Sequence, residues 1–220
     1  MHEFAVTPAL AVSFQRYPHP PSGFLSALPR SWGALPVVAV GPRHLVLPSP
    51  AREALWIGLI PTGGERSSRV RILASLRSGE RVDAVTGAVA DDVALTGLGE
   101  ILAPPRYAVE GIFRADATWW AFARDTLGTG APACDGLDLM VATRTLAATS
   151  GPTADPRRQH EPTGASGPQT PAESTLDIGD SGATASLHVD LLEAAEFEKV
   201  SGTQLPPLDP TATYDGRRLP

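Results

Sequence analysis

The chain has 220 residues, an apolar fraction of 42% and a formal net charge of −6, enough for one large domain or for one domain of about 110 to 150 residues with appendages. The acidic balance argues against a nucleic-acid binder, which needs a basic face to neutralise phosphates. No apolar run approaches the ~18 residues of a membrane span, the opening Met-His-Glu-Phe-Ala-Val-Thr-Pro makes a poor secretory signal, and a single cysteine, Cys134, excludes an intrachain disulfide.

The expected location is therefore cytoplasmic, with neither nucleic acid nor membrane as partner. The basic residues are 17 arginines and one lysine, Lys199. Arginine's planar fork suits bidentate contacts, but an Ala/Arg/Pro/Gly-rich chain is more simply explained by a GC-rich coding sequence.

Residues 1–34 carry five of the thirteen aromatics, namely Phe4, Phe14, Tyr17, Phe24 and Trp32, together with Pro8, Pro18, Pro20, Pro21 and Pro29. Aromatic side chains seek cover, so an idle disordered arm is not expected. Proline at this density argues against a long helix or a central strand. The expectation is an extended arm, pinned by its aromatics onto its own domain or onto a partner.

From residue 35 to 147 the pattern is that of a β domain. Val37–Val40 ends at Gly41-Pro42, and Leu45–Leu47 ends at Pro48. Ala54–Ile60 is a continuous apolar run whose length suits a strand covered on both faces. Val70, Ile72, Ala74 and Leu76 alternate with Arg71, Ser75 and Arg77, turn at Ser78-Gly79-Glu80 and resume at Arg81–Thr86, as a hairpin does. Tyr107–Arg114, with Tyr107 and Val109 expected in the core, Trp119–Arg124 and Leu137–Thr143 complete about seven to nine short strands. This is a mainly β fold, a sandwich or jelly-roll-like barrel.

Composition changes at 148–183, where Ser, Thr, Gly, Pro and Gln dominate. Such a stretch cannot bury enough surface to offset its backbone entropy, so a flexible linker is expected. Over 184–220 structure resumes. Ala185, Leu187, Val189 and Leu191 alternate as a half-buried strand, and Glu193–Ser201 reads as a short helix capped by Gly202, with Phe197 and Val200 on one face. A unit this small must dock on something. The proline-rich end with Tyr214 is either a docking peptide or a tail laid along its own domain.

Candidate chemistry is sparse. The histidines His2, His19, His44, His160 and His188 are scattered, and no two have the short spacing usual for metal ligands on one element, so no metal or cofactor is expected. Cys134 has an adjacent acid, Asp135, which disfavours a thiolate. Asp91-Asp92 and the Glu80/Asp83 pair lie at turns, where acids serve local hydrogen bonding. Thr62-Gly63-Gly64-Glu65 and Thr96–Glu100 match neither phosphate-binding loop.

The site-like feature is Trp119-Trp120. On a strand the two side chains point to opposite faces, so only one enters a one-sided core, and an exposed Trp is a frequent binding platform. The expected binding residues are Trp119, Trp120, Phe197 and Tyr214.

Organisation then points to a non-enzymatic structural or assembly component whose partner is another protein or copies of itself, as in phage particles or contractile injection machines by analogy of architecture. The alternative is a ligand-binding β domain or enzyme. Its pocket would be assembled from distant strands, His44 among them, around a small molecule, with the C-terminal segment as a lid.

Overall fold

A computed structural model describes residues 2–62, 66–90, 99–145 and 184–211. The linker expected over 148–183, Tyr214 and Asp91-Asp92 lie outside these residues. Strands make up 51% and helix 5%, so the chain is mainly β.

In chain order the strands are β1 (Glu3–Thr7), β2 (Leu10–Pro18), β3 (Phe24–Leu25), β4 (Val38–Gly41), β5 (His44–Pro48), β6 (Glu53–Pro61) and β7 (Arg66–Leu76). There follow β8 (Arg81–Asp83), β9 (Ile101–Ala103), β10 (Ala108–Val109), β11 (Gly111–Phe113), β12 (Trp119–Ala121), β13 (Cys134–Thr145) and β14 (Thr184–Leu192), and then the helix α1 (Ala194–Ser201). One sheet has the order β1-β2-β6-β10 and a small one β11-β12-β3. The largest runs β4-β5-β14-β13-β7-β8, with β9 also paired to β7.

The two larger sheets meet across one core. Leu10, Val12 and Phe14 of β2 and Leu55, Ile57 and Leu59 of β6 pack with Leu45 and Leu47 of β5, Val70, Ile72 and Ala74 of β7, Leu137, Leu139 and Val141 of β13, and Leu187, Val189 and Leu191 of β14. Each set occurs at every second position, as the pleat requires. Burying each larger aliphatic or aromatic side chain contributes about 1.5–3 kcal/mol. The run 54–60 is covered on both faces as its composition suggests, because Ala54 and Trp56 point the other way and pack with Tyr17, Leu25, Ala121 and Ala123.

The N-terminal expectation needs correction. Leu10–Pro18 is a central strand, antiparallel to β1 on one side and to β6 on the other. Its prolines bracket the pairing instead of interrupting it: Pro8 sits in the β1–β2 turn, and Pro18 is the last paired residue. Proline density over the whole segment says nothing about a nine-residue window that contains none until its final position.

The C-terminal segment is equally integrated. Strand β14 lies between β13, antiparallel, and β5, parallel, and a strand bonded along both edges does not swing as a lid. Helix α1 ends at Gly202, which adopts φ +66° and donates its N–H to the Glu198 carbonyl at 2.8 Å, the left-handed cap that glycine permits. Phe197 is fully buried whereas Val200 is 52% exposed, so the two do not share a buried face. Tyr107, expected in the core, is 51% exposed.

Beyond the helix the chain is laid along its own domain as far as Thr211. Leu205 packs on the core, Arg16 donates to the Pro206 carbonyl at 2.6 Å, and the Asp209 N–H reaches the Trp32 carbonyl at 3.1 Å. Arg16 is held in turn by a bidentate pair with Glu53 at 2.7 and 2.8 Å. No helix among the described residues is long and apolar enough to cross a membrane.

Candidate functional site: an aromatic cleft and a histidine–aspartate row

Two groups of side chains stand out, and the first contains the tryptophan pair. Strand β12 is paired on both sides, so Trp119 lies opposite Phe113 and Leu25, and Trp120 opposite Ile112 and Phe24. Both tryptophans are half-buried. Trp120 packs at the edge of the main core, and Trp119 meets the Phe113 ring edge-on at 6.2 Å.

Around Trp120 the arrangement is more elaborate than the pair alone suggests. The Phe24 ring stands edge-on to it at 6.2 Å. The Arg114 guanidinium lies 4.2 Å from the Trp120 centroid and 4.8 Å from that of Phe24, within the range of cation–π attraction. Arg114 also pairs with Asp116 at 3.1 Å through Nη2, while its Nη1 is buried without a hydrogen-bond partner. Arg114, Asp116 and Trp120 line an open cleft of about 670 Å³ whose other walls include Val82, Thr86, Gly87 and Pro132, with Phe24 beside it against Arg114 and Trp120.

The cleft depends on one tight backbone approach. Gly87 has φ +74°, and a Cβ there would stand 2.2 Å from the Phe113 carbonyl oxygen. The preceding turn is fixed by Asp83, which is 1% exposed. Its carboxylate accepts N–H bonds from Val85 at 2.7 Å, from Thr86 at 3.3 Å and from Gly99. That is the local hydrogen-bonding role expected of an acid at a turn.

Of the expected binding residues, the structure therefore brings Trp119 and Trp120 to one small sheet. Phe197 is elsewhere, buried within its own chain, and Tyr214 lies outside the described residues. Phe24 and Arg114 carry the site as much as the tryptophans do. The hairpin turn that closes with the Arg114 N–H on the Thr118 carbonyl at 2.8 Å is what sets Arg114 beside β12.

The second group runs across the outer face of the largest sheet. The register places His188 opposite Asp138 on one side and His44 on the other. His188 Nδ1 lies 2.6 Å from Asp138 Oδ1, and its Nε2 lies 3.0 Å from Asp190 Oδ1. His44 Nε2 meets the other Asp190 oxygen at 2.7 Å, and Arg81 donates to Asp138 Oδ2 at 2.8 Å. Burial alone would lower the His188 pKa, but the hydrogen bonds and charges of Asp138 and Asp190 outweigh it, and the value is raised.

His44, His188 and Asp190 each offer a ligand atom, and these atoms lie within 4.8 Å of one another. The spacing of histidines in the sequence did not bring them together. The one visible sign was His188-Val189-Asp190 inside an alternating strand, which puts both polar side chains on the same face.

Cys134 takes no part in either group. It is fully buried, burial pushes its thiol up to about 12, and its Sγ donates to the Gly136 carbonyl at 3.3 Å. No protein-family model matches the chain, and no curated protein or solved structure is significantly similar to it.

Proposed function

We propose that the protein is a non-enzymatic assembly component that binds a second protein chain at the cleft around Phe24, Arg114 and Trp120. The observation that carries this is the Arg114 guanidinium held over two half-open aromatic rings with Nη1 buried and unpartnered. Arginine and tryptophan are the residue types that dominate binding energy at protein interfaces, and the quarter-exposed guanidinium favours a partner presenting a carbonyl or carboxylate oxygen. A second copy of this chain is such a partner, because acids outnumber bases 24 to 18. The two larger sheets, sharing one core, are best read as a sandwich that presents this cleft on its small third sheet.

Sedimentation of the purified full chain over a range of concentrations tests the reading. Self-association is expected, weakened at least tenfold by Arg114→Ala and by Phe24→Ala while the fold is kept. A wild-type chain that stays monomeric, or variants that associate as tightly, overturns it.

A ligand-binding reading draws on the convergence of His44, His188 and Asp190 from distant strands. It is the weaker of the two, because these groups are about two-fifths exposed on an open sheet face and not in a deep pocket.

A further inference from the structure

We propose that His44, His188 and Asp190 form a binding site for a divalent transition-metal ion of the zinc type, with Asp138 as the outer carboxylate that orients His188. The argument begins with hydrogen-bond roles. An ionised carboxylate only accepts, so the 2.6 Å contact between His188 Nδ1 and Asp138 Oδ1 requires the proton on Nδ1. In a neutral imidazole that leaves a lone pair on Nε2, and Nε2 faces Asp190 Oδ1 at 3.0 Å. Two acceptors do not meet at that distance unattended. A second proton or a metal ion must lie between them.

Local charge points the same way. Asp138 and Asp190 bring two negative charges, and Arg81, bound to Asp138 at 2.8 Å, neutralises one. One positive charge is still called for at the Nε2–Oδ1 contact. His44 reaches the same carboxylate from strand β5 with Nε2 at 2.7 Å from Oδ2, so two imidazole nitrogens converge on one carboxylate.

Zinc–nitrogen and zinc–oxygen bonds of about 2.0–2.2 Å place ligand atoms about 3.3 Å apart around a tetrahedral ion. The present spacings, 2.7 and 3.0 Å across the carboxylate and all within 4.8 Å, reach that arrangement by sub-ångström to ångström shifts of half-exposed side chains. The donor set selects the ion. Two imidazoles with one carboxylate suit zinc and its first-row neighbours, whereas calcium and magnesium take oxygen ligands. A carboxylate on the far nitrogen of a ligating histidine is the usual outer-shell support at such sites. Neither of the two larger described clefts is lined by these residues, so the inference is ion binding that ties β5 to β14, with no reaction attached. It is independent of the assembly proposal.

The test is calorimetric titration of zinc chloride into tag-free, chelator-treated full chain, with cobalt(II) absorption as a second probe. One equivalent is expected to bind with micromolar affinity, and bound cobalt is expected to show visible d–d bands. At a hundredfold excess over Kd, zinc is expected to raise Tm by about 5–10 °C. His44→Ala and His188→Ala should each abolish the high-affinity phase, and Asp138→Asn should weaken it by about 10–100-fold. His44→Ala decides the matter should the His188 variant fail to fold. Absence of saturable binding to the wild type, or binding unchanged in His44→Ala, overturns the proposal.

Discussion

The aromatic cleft and the histidine–aspartate row are both half-open at the surface, yet the fold supports them in opposite ways. The cleft sits on a three-stranded sheet of two- and three-residue strands, and most of its lining residues come from a single hairpin, 111–121, with Val82, Thr86, Gly87 and Pro132 added from outside. Asp138, His188 and Asp190 of the row sit on the long central strands β13 and β14 of the largest sheet, with His44 added from β5 and Arg81 from the short β8 at the sheet's end. A surface group on short strands can change without the core noticing. One on central strands has Leu187, Val189 and Leu191 of the same strand beneath it, so the backbone register that brings its members together is as fixed as the core.

The strongest way to break this contrast is Leu187→Ala. Leu187 is 2% exposed within the main core, and truncating a buried leucine costs about 2–5 kcal/mol. Urea unfolding of the full chain should show that loss. A loss under about 1 kcal/mol would mean that β14 is peripheral and the row is no better anchored than the cleft. Gly87→Ala comes next. It places a Cβ at φ +74° and against the Phe113 carbonyl, with an expected cost of about 1–3 kcal/mol. The near-UV signal of Trp119 and Trp120 should change, because their neighbour β11 must shift.

Arg114→Ala sharpens the contrast from the other side. Its cation–π contacts are partly solvated, so about 1 kcal/mol is expected, with tryptophan emission altered and the unfolding slope unchanged. A loss as large as that of Leu187→Ala would show the cleft to be part of the core.

Legibility in the sequence follows the same division. Long strands with sustained alternation, 70–76 (Leu73 excepted) and 185–191, are visible because the side-chain period survives over several residues. Leu10–Pro18 was hidden by averaging prolines over a window wider than the strand. Tyr107 was misplaced because its carbonyl, not its ring, serves the sheet, accepting the Leu59 N–H at 2.8 Å. Within the cleft the tryptophan pair could be read directly, but Arg114 could not, since its position over two rings depends on a turn at Ala115–Ala117, where Ala117 takes φ +59°. The row was the least legible part. Which residue of β5 or β13 falls opposite His188 is a matter of register between residues 144 and 50 positions away, and no local pattern encodes it.

The smallest expected effect compares two imidazoles, and its sign is opposite at each. His19 is 7% exposed. Burial lowers its pKa, against a backbone hydrogen bond at Pro20 and the charge of Asp125. Its folded value therefore lies below the unfolded one of about 6.5, and the unfolded chain takes up its proton first as pH falls. His19 thus costs stability below about pH 6.5. His188 faces Asp138 and Asp190, with His44 and Arg81 beyond them, and its folded value is raised. In metal-free protein its contribution is fully present below about pH 6.5 and is lost as pH rises through the folded value. Urea midpoints compared at about pH 5.5 and 8, either side of the unfolded histidine value, separate the two. Relative to the wild type, His19→Gln should gain stability on the acid side, and His188→Gln should lose it. Parallel behaviour of the two variants would remove the distinction between a neutral histidine buried in the fold and a histidine held between carboxylates at its surface.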